Sequence, residues 1–280
     1  MRWAKKQLGK AGLSTSALDA ELLLAHVLMV DRVFLWAHSE KEISKEQADL
    51  FQSLVERRER HEPVAYLVGK KEFFNRDFIV NSDTLIPRPD TEHLVEIALR
   101  HLPMDRPLTV IDVCTGTGCV GISIALERPK ARVILTDISE KALEVAAQNI
   151  ALHGLEDRVL FRQGDGLNPC LGQVGVDCIV ANPPYIKKDA MEKLPLDVKN
   201  YEPHLALLGE GEGGLSCHLQ IIQAAEKLLK PDGCLALEIG YDQRSDLEKS
   251  FFGFQLPEFI LDYAGFARVV LFRKSGSVDG

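Results

Sequence analysis

Asn182-Pro183-Pro184-Tyr185 follows the apolar run Val176–Ala181, and these residue types in this order suit one task, the grip of an NH₂ group. Each proline fixes φ at about −65° and removes a backbone N–H, so neighbouring carbonyls are left free to accept. The Asn182 side-chain oxygen and the Pro183 carbonyl can each take one hydrogen of a planar amide or amine, while the Tyr185 ring covers its flat face. That points to methyl transfer onto a planar nitrogen. Alone, the four residues also fit an ordinary proline turn containing an Asn.

Such a grip needs a platform that brings a methyl donor to the same place. Leu108–Val113 has the pattern of a buried strand, and Cys114-Thr115-Gly116-Thr117-Gly118-Cys119 follows it, leading into the helical pattern Val120, Ile122, Ile124, Ala125, Leu126. Strand, glycine-rich turn and helix form the first unit of a nucleotide-binding α/β sheet, where glycine lets backbone approach a ligand closely. The spacing is Gly-x-Gly without the third glycine of the dinucleotide fingerprint, which suits a cofactor with adenosine but no phosphates.

Further strands extend the platform. Arg132–Thr136 ends at Asp137, 19 residues after Gly118 and about where an acidic residue grips ribose hydroxyls. Arg158–Arg162 ends at Gly164-Asp165-Gly166, a candidate contact for the adenine edge. Ligands bind at the carboxyl ends of strands in an open α/β sheet, and here four successive strand ends carry suitable residues. Gly233–Ile239 supplies another core strand, after a helix through Leu219, Ile222, Ala225, Leu228 and Leu229 that is expected to stop at Pro231-Asp232-Gly233. A final antiparallel strand is expected near Ala267–Phe272.

The first 60 or so residues have helical patterning. Ser14-Thr15-Ser16 and Asp19 offer caps, and Ser44-Lys45-Glu46-Gln47 has the form of a capping box before Ala48, Leu50, Phe51, Leu54 and Val55. The charge run Glu56–Glu62 is expected to be a solvated helix face, and His26, His38 and His61 to be ordinary helix or loop residues. Phe73-Phe74 and Asp77–Val80 flank Asn75-Arg76, which predicts a β-hairpin. The expected organisation is a helical domain over residues 1–62, a hairpin connector over 63–82, and an α/β domain with a doubly wound sheet over 83–280.

Composition excludes several classes. With 280 residues, 46% hydrophobic and 26% charged, the chain can bury a large core. The six cysteines contain no C-x-x-C pair, which favours reduced thiols over a disulfide framework or a zinc site, so no metal is expected. Leu22–Val30 is too short to span a bilayer, and the basic start has no clean cleavage pattern, so a cytoplasmic location and no membrane partner are expected. Residues 1–75 hold 12 Lys and Arg against 11 Asp and Glu, about neutral at +1, so the remainder carries −9 of the total of −8. Such a balance repels duplex phosphates, and direct nucleic-acid binding is not expected.

The chain resembles the PrmC/HemK family of protein-(glutamine-N5) methyltransferases over nearly its whole length. The residues that carry the resemblance include Pro63–Gly69, Glu72-Phe73-Phe74, Leu85-Ile86-Pro87-Arg88-Pro89-Asp90-Thr91-Glu92, the turn from Asp112 to Gly118, Asp137-Ile138-Ser139, Asn182–Tyr185, Tyr201-Glu202-Pro203 and Leu237-Glu238-Ile239-Gly240. Cys114 stands where the family often has Gly, and Glu210 interrupts a usual Gly-Gly pair. The resemblance implies a Rossmann-like S-adenosylmethionine-dependent methyltransferase that modifies the glutamine of the Gly-Gly-Gln motif in bacterial peptide chain release factors, a translation-termination role. It implies S-adenosylmethionine contacts at Cys114, Thr115, Gly116, Thr117, Gly118, Asp137, Ile138, Asp165, Gly166 and Asn182. Asn182, Pro183, Pro184 and Tyr185 would bind the acceptor, with Asn182, Pro183 and Tyr185 in the catalytic role. Two alternatives remain: an adenine-N6 nucleic-acid methyltransferase, which shares Asn-Pro-Pro-Tyr, and a glutamine methyltransferase acting on a ribosomal protein.

An amide nitrogen is a poor nucleophile because its lone pair is delocalised, and no His or Cys adjoins Asn182–Tyr185 to act as a strong base. Catalysis would then rest on holding nitrogen, methyl carbon and sulfur in line, an effect worth up to about 7–11 kcal/mol, with water taking the proton afterwards.

Overall fold

The structure is a computed structural model and describes residues 1–250, 253–262 and 264–275. The chain divides into two compact units, Met1–Lys70 with Pro195–Tyr201, and Lys71–Leu194 with Glu202–Gly280, the last five residues lying outside those described. The helical unit therefore runs past Glu62 and takes in a distant segment that sequence order gives no reason to place there.

In the helical unit, α1 (Arg2–Lys10), α2 (Ser16–Leu28), α3 (Arg32–Ala37), α4 (Lys45–Glu59) and α5 (Val64–Val68) close around Leu8, Leu23, Phe51, Leu54 and Val55. The Ser44–Gln47 capping box forms as expected: Ser44 Oγ accepts from the Gln47 N–H at 3.2 Å, and Gln47 Oε1 accepts from the Ser44 N–H at 2.9 Å. The start of α2 departs from expectation. Thr15 occupies the cap without a side-chain bond to the backbone, and its hydroxyl donates instead to Asp19 at 3.0 Å. The charge run Glu56–Glu62 is not simply a solvated face either. Arg58 is 5% exposed and its Nε donates to the buried Asp19 at 2.8 Å, because α4 turns that position onto α2. Tyr201 donates its hydroxyl to the Arg60 carbonyl at 2.7 Å, fastening the distant segment to the end of α4.

β1 (Lys70–Phe73) and β2 (Arg76–Ile79) make the hairpin. Its two-residue turn is Phe74-Asn75, both at positive φ (50° and 60°), one position earlier than Asn75-Arg76. The turn is held by Glu92, whose Oε1 accepts from the Phe74 N–H at 3.0 Å. Phe73 and Phe78 enter the core of the α/β unit.

That unit continues through α6 (Glu92–His101), β3 (Leu108–Val113), α7 (Cys119–Glu127), β4 (Ala131–Asp137), α8 (Glu140–Leu152), β5 (Val159–Gln163), β6 (Val176–Ala181) and α9 (Lys188–Met191). After α10 (Leu196–Tyr201) in the helical unit come α11 (Ser216–Leu228), β7 (Leu229–Glu238), α12 (Arg244–Leu247), β8 (Glu258–Leu261) and β9 (Ala267–Arg273). Among the described residues the sheet order is β5-β4-β3-β6-β7-β9-β8. The first five of these strands are parallel; β9 runs antiparallel to β7, and β8 to β9. Alternate residues of β3 and β6 feed opposite faces: Val110, Cys178 and Val180 join Ile122 and Leu94, while Ile111, Ile179 and Ala181 join Ile221 and Ile222. Both faces are covered by helices, which is why these strands are near-continuously apolar, broken only by Thr109 and Asp112 in β3 and Asp177 in β6.

The junction of α11 and β7 differs from expectation. The helix stops at Leu228 and the strand begins at Leu229, so Pro231-Asp232-Gly233 lies in a bulge within the strand, with Asp232 at φ 64°. Proline is tolerated there because a bulged residue needs no ladder N–H.

Candidate active site

The register of the sheet builds the site. Val113 of β3 lies beside Thr136 of β4 and Ala181 of β6, so the next residues, Cys114, Asp137 and Asn182, leave the sheet side by side. Asp137 is level with Gln163 of β5, which brings Gly164, Asp165 and Gly166 to the same edge. Chain order reverses between β4 and β6 on the two sides of β3, the point at which an open α/β sheet opens a crevice. A cavity of about 320 Å³ occupies it, lined by Cys114, Thr115, Gly116, Thr117, Asp137, Ile138, Asp165, Gly166, Asn182 and Pro184 among others.

The glycine turn folds tightly under the cavity. Cys114, Gly116 and Gly118 have φ of 55°, 53° and 81°. A Cβ on Gly116 would meet no heavy atom within 4 Å, so its backbone faces open space. Gly118 serves the fold instead. It does not line the cavity, and a Cβ there would come 2.9 Å from Ile122 Cδ1. Asp137 ties this turn to β4: its two carboxylate oxygens accept from the N–H groups of Gly116 and Ser139, each at 2.9 Å. Burial nonetheless pushes its pKa up, against those hydrogen bonds. Each oxygen keeps a second lone pair for a ligand hydroxyl.

Asp112, one residue before the turn, is buried and borders the cavity. Its Oδ2 accepts from the Thr115 hydroxyl at 2.6 Å and the Gly121 N–H at 2.9 Å. Desolvation outweighs both bonds and pushes its pKa up to about 7.

At the other end of the cavity the Asn182 side-chain NH₂ donates to the Thr91 hydroxyl at 3.3 Å, which leaves Oδ1 as the end that can accept. Pro184 lines the cavity, whereas Pro183 is buried and neither it nor Tyr185 lines it. The Tyr185 hydroxyl turns to the buried carboxylate of Glu238 at 3.2 Å, since Leu237 of β7 is level with Ala181 and sets Glu238 beside the signature. Burial drives the pKa of both Tyr185 and Glu238 up.

Several lining residues carry no individual signal in the sequence. Pro87, Arg88 and Thr91 come from the stretch before α6, Leu205 and Ala206 follow Pro203, and Cys217 and Gln220 come from α11. Arg88 is anchored by an ion pair to the buried Glu202, which also accepts from the Ile86 N–H at 3.1 Å. The Pro-Arg-Pro and Tyr-Glu-Pro motifs thus meet through one carboxylate. Asn149 of α8 does comparable work: its side chain bonds both backbone groups of Ile79 and the Thr117 carbonyl, joining hairpin and glycine turn. A lone Asn within a helical pattern carries no signal of that.

Among the described residues Asp83, Asp112, Asp137, Asp165 and Glu210 border the cavity beside one lining cation, Arg88; Arg88 is paired with Glu202, and Asp83 with Lys141 at 3.7 Å. That field suits a cationic ligand and opposes a polyphosphate.

Known proteins resemble this chain over nearly its whole length. Residues 1–69 match the model of the PrmC N-terminal domain and residues 93–196 that of the methyltransferase small domain. A release factor glutamine methyltransferase of Moorella thermoacetica is 41% identical, covering 96% of this chain and 95% of its own. That of Clostridium acetobutylicum is 40% identical over 92% and 91%. A bifunctional methyltransferase of Rickettsia felis is 36% identical over 96% of this chain, which spans 56% of that longer protein. Among solved structures, a methyltransferase from Pyrococcus furiosus superposes with a TM-score of 0.54 at 16% identity, covering 73% of this chain and 92% of its own. The hMettl16 catalytic domain superposes with a TM-score of 0.57 at 16% identity, covering 84% and 82%, and shares the fold. With relatives near 40% identity along almost the entire length of both partners, the chain belongs to the release factor glutamine methyltransferase family.

Proposed function

We propose that this chain transfers the methyl group of S-adenosylmethionine to the side-chain amide nitrogen of the glutamine in the Gly-Gly-Gln motif of bacterial peptide chain release factors, in the cytoplasm and without binding nucleic acid directly. The observation that carries the reading is the level row Cys114, Asp137 and Asn182 at one sheet edge, with the Asn182 NH₂ committed to Thr91. Cofactor and acceptor sites then share a wall, and Oδ1 of Asn182 can take a hydrogen of the target amide.

The lining fits S-adenosylmethionine in charge and shape. The excess of carboxylates answers a sulfonium and an ammonium, Asp137 can accept from ribose hydroxyls, and the open space above Gly116 admits a ligand against backbone. When bound, the cofactor supplies an electrophilic methyl. The chain's own residues orient the acceptor: Asn182 fixes the amide, Pro184 lines the cavity next to it, and Glu238 holds Tyr185 by its hydroxyl. No residue is required to remove the amide proton in advance, because it becomes acidic only as the N–C bond forms.

The helical unit is read as the docking surface for the protein substrate. It leaves Met29, Val33 and Trp36 exposed, at 90%, 68% and 62%, and carries little net charge. Val33→Ser with Trp36→Ser should raise KM for whole release factor while cofactor affinity holds; an unchanged KM would remove this surface from docking.

Labelled S-adenosylmethionine with release factor, a ribosomal protein or adenine-containing DNA as separate acceptors tests the function. Label on the Gly-Gly-Gln glutamine is expected, and transfer confined to DNA or to the ribosomal protein would overturn the proposal.

A further inference from the structure

We infer that Cys114 and Cys217 form a reversible dithiol–disulfide pair in the cavity wall, closed by a hydroperoxide and reopened by a dithiol reductant. The two sulfurs lie 3.9 Å apart, one on the glycine turn and one in the first turn of α11, and both residues line the cavity. Both are partly exposed, whereas Cys119, Cys170, Cys178 and Cys234 are buried. Proximity alone does not select the pair. Cys178 and Cys234 are closer, at 3.5 Å, but lie face to face between β6 and β7 with 0% and 2% exposure, where no oxidant reaches them.

The two thiols are chemically unequal. Either thiol can donate across the 3.9 Å contact; with Cys114 as donor the Cys217 pKa is lowered and, with burial, that of Cys114 is raised. The N-terminal turn of the 13-residue α11 favours a thiolate as well, while Asp165 and Asp137 across the cavity and burial oppose it. Cys217 is therefore the attacking sulfur. Its thiolate displaces hydroxide from the peroxide O–O bond and becomes a sulfenic acid. The Cys114 sulfur then attacks that sulfur; the S–S bond forms, the S–O bond breaks, and the Cys114 proton leaves with the hydroxide as water. Two thiols are oxidised by two electrons and one peroxide is reduced to two waters.

Closing the bond brings the sulfurs from 3.9 Å to about 2.05 Å, which requires rotation of both side chains and movement of the turn towards α11. It also ties the glycine turn to α11 across the cavity. The disulfide stands on the thiols alone; its effect on the cofactor rests on the proposed use of the cavity, and the two are read separately.

Reduced protein is treated with one equivalent of hydrogen peroxide, with and without saturating S-adenosylmethionine, and digested without reductant for mass mapping; parallel samples are titrated with cofactor by calorimetry. A Cys114–Cys217 peptide, its suppression by bound cofactor, affinity reduced at least about tenfold and recovery with dithiothreitol are expected. In Cys114→Ala, peroxide should leave a sulfenic acid on Cys217 that dimedone traps. In Cys217→Ala, treated and untreated samples should bind cofactor alike. Cys114 and Cys217 remaining thiols in the map, or pairing with other cysteines, would overturn the inference. A mapped disulfide with unchanged affinity would overturn its effect on the cavity, and reduced protein that binds no cofactor would sink the cavity's assignment instead.

Discussion

The Tyr185 hydroxyl donates to Oε1 of Glu238 at 3.2 Å, while Oε2 of that buried carboxylate has no hydrogen-bond partner among the described residues. A carboxylate left half-satisfied in the interior is costly, and here it fixes the ring of the Asn-Pro-Pro-Tyr signature. Tyr185→Phe should destabilise the fold by about 1–3 kcal/mol, and Glu238→Gln should lower single-turnover methyl transfer about tenfold with cofactor affinity held. A double-mutant cycle on stability and rate checks whether the two act together; additive effects would mean that Glu238 does not work through Tyr185.

Asn182→Ala separates catalysis from binding. The variant leaves the target N–H without its acceptor, at about 1–3 kcal/mol, and loosens the in-line geometry. Thr91 also loses its 3.3 Å partner. Loss of rate should exceed loss of cofactor affinity by at least about tenfold, or 1.4 kcal/mol. Single-turnover rates beside calorimetric affinities decide it, and wild-type turnover at saturating cofactor would end the proposed role.

Asp112 predicts a pH dependence with a definite sign. Its pKa is raised by burial from 3.8 to about 7 in the folded chain, so the folded state holds the proton more tightly than the unfolded one. The stabilisation this brings is complete below about pH 3.8 and is lost as pH rises through about 7. Binding of a cationic cofactor should run the other way, tightening as Asp112 ionises. Tm and cofactor affinity measured from pH 5 to 8 should show opposite trends in the wild type, and both should flatten in Asp112→Asn. Equal slopes in the two proteins would remove Asp112 from either effect.

Arg58→Ala should destabilise the helical unit by about 3–5 kcal/mol, because it strands the buried Asp19 beside the Thr15 hydroxyl alone. The paired replacement Asp19→Leu with Arg58→Met should cost far less. Urea unfolding followed by circular dichroism compares them, and equal losses would show that packing, not the charge, is what Arg58 contributes.

What the residues alone determined here is local and periodic. Largely apolar runs leading to Cys114, Asp137, Gly164 and Asn182 marked the strands and their functional ends, since a strand covered on both faces is near-continuously apolar and a ligand-binding edge is not. The Ser44–Gln47 box was equally legible, because capping is a matter of spacing within one turn. Tertiary structure decided everything that depends on which elements become neighbours. It sent Arg58 inward to Asp19, gathered Pro195–Tyr201 into the helical unit, and joined Arg88 to Glu202. It turned Tyr185 towards Glu238 rather than into the cavity and set Cys114 against Cys217 across 103 residues of chain. A side chain's partner lying far along the chain leaves no periodic trace, so only the folded sheet and its crossovers could bring these groups together.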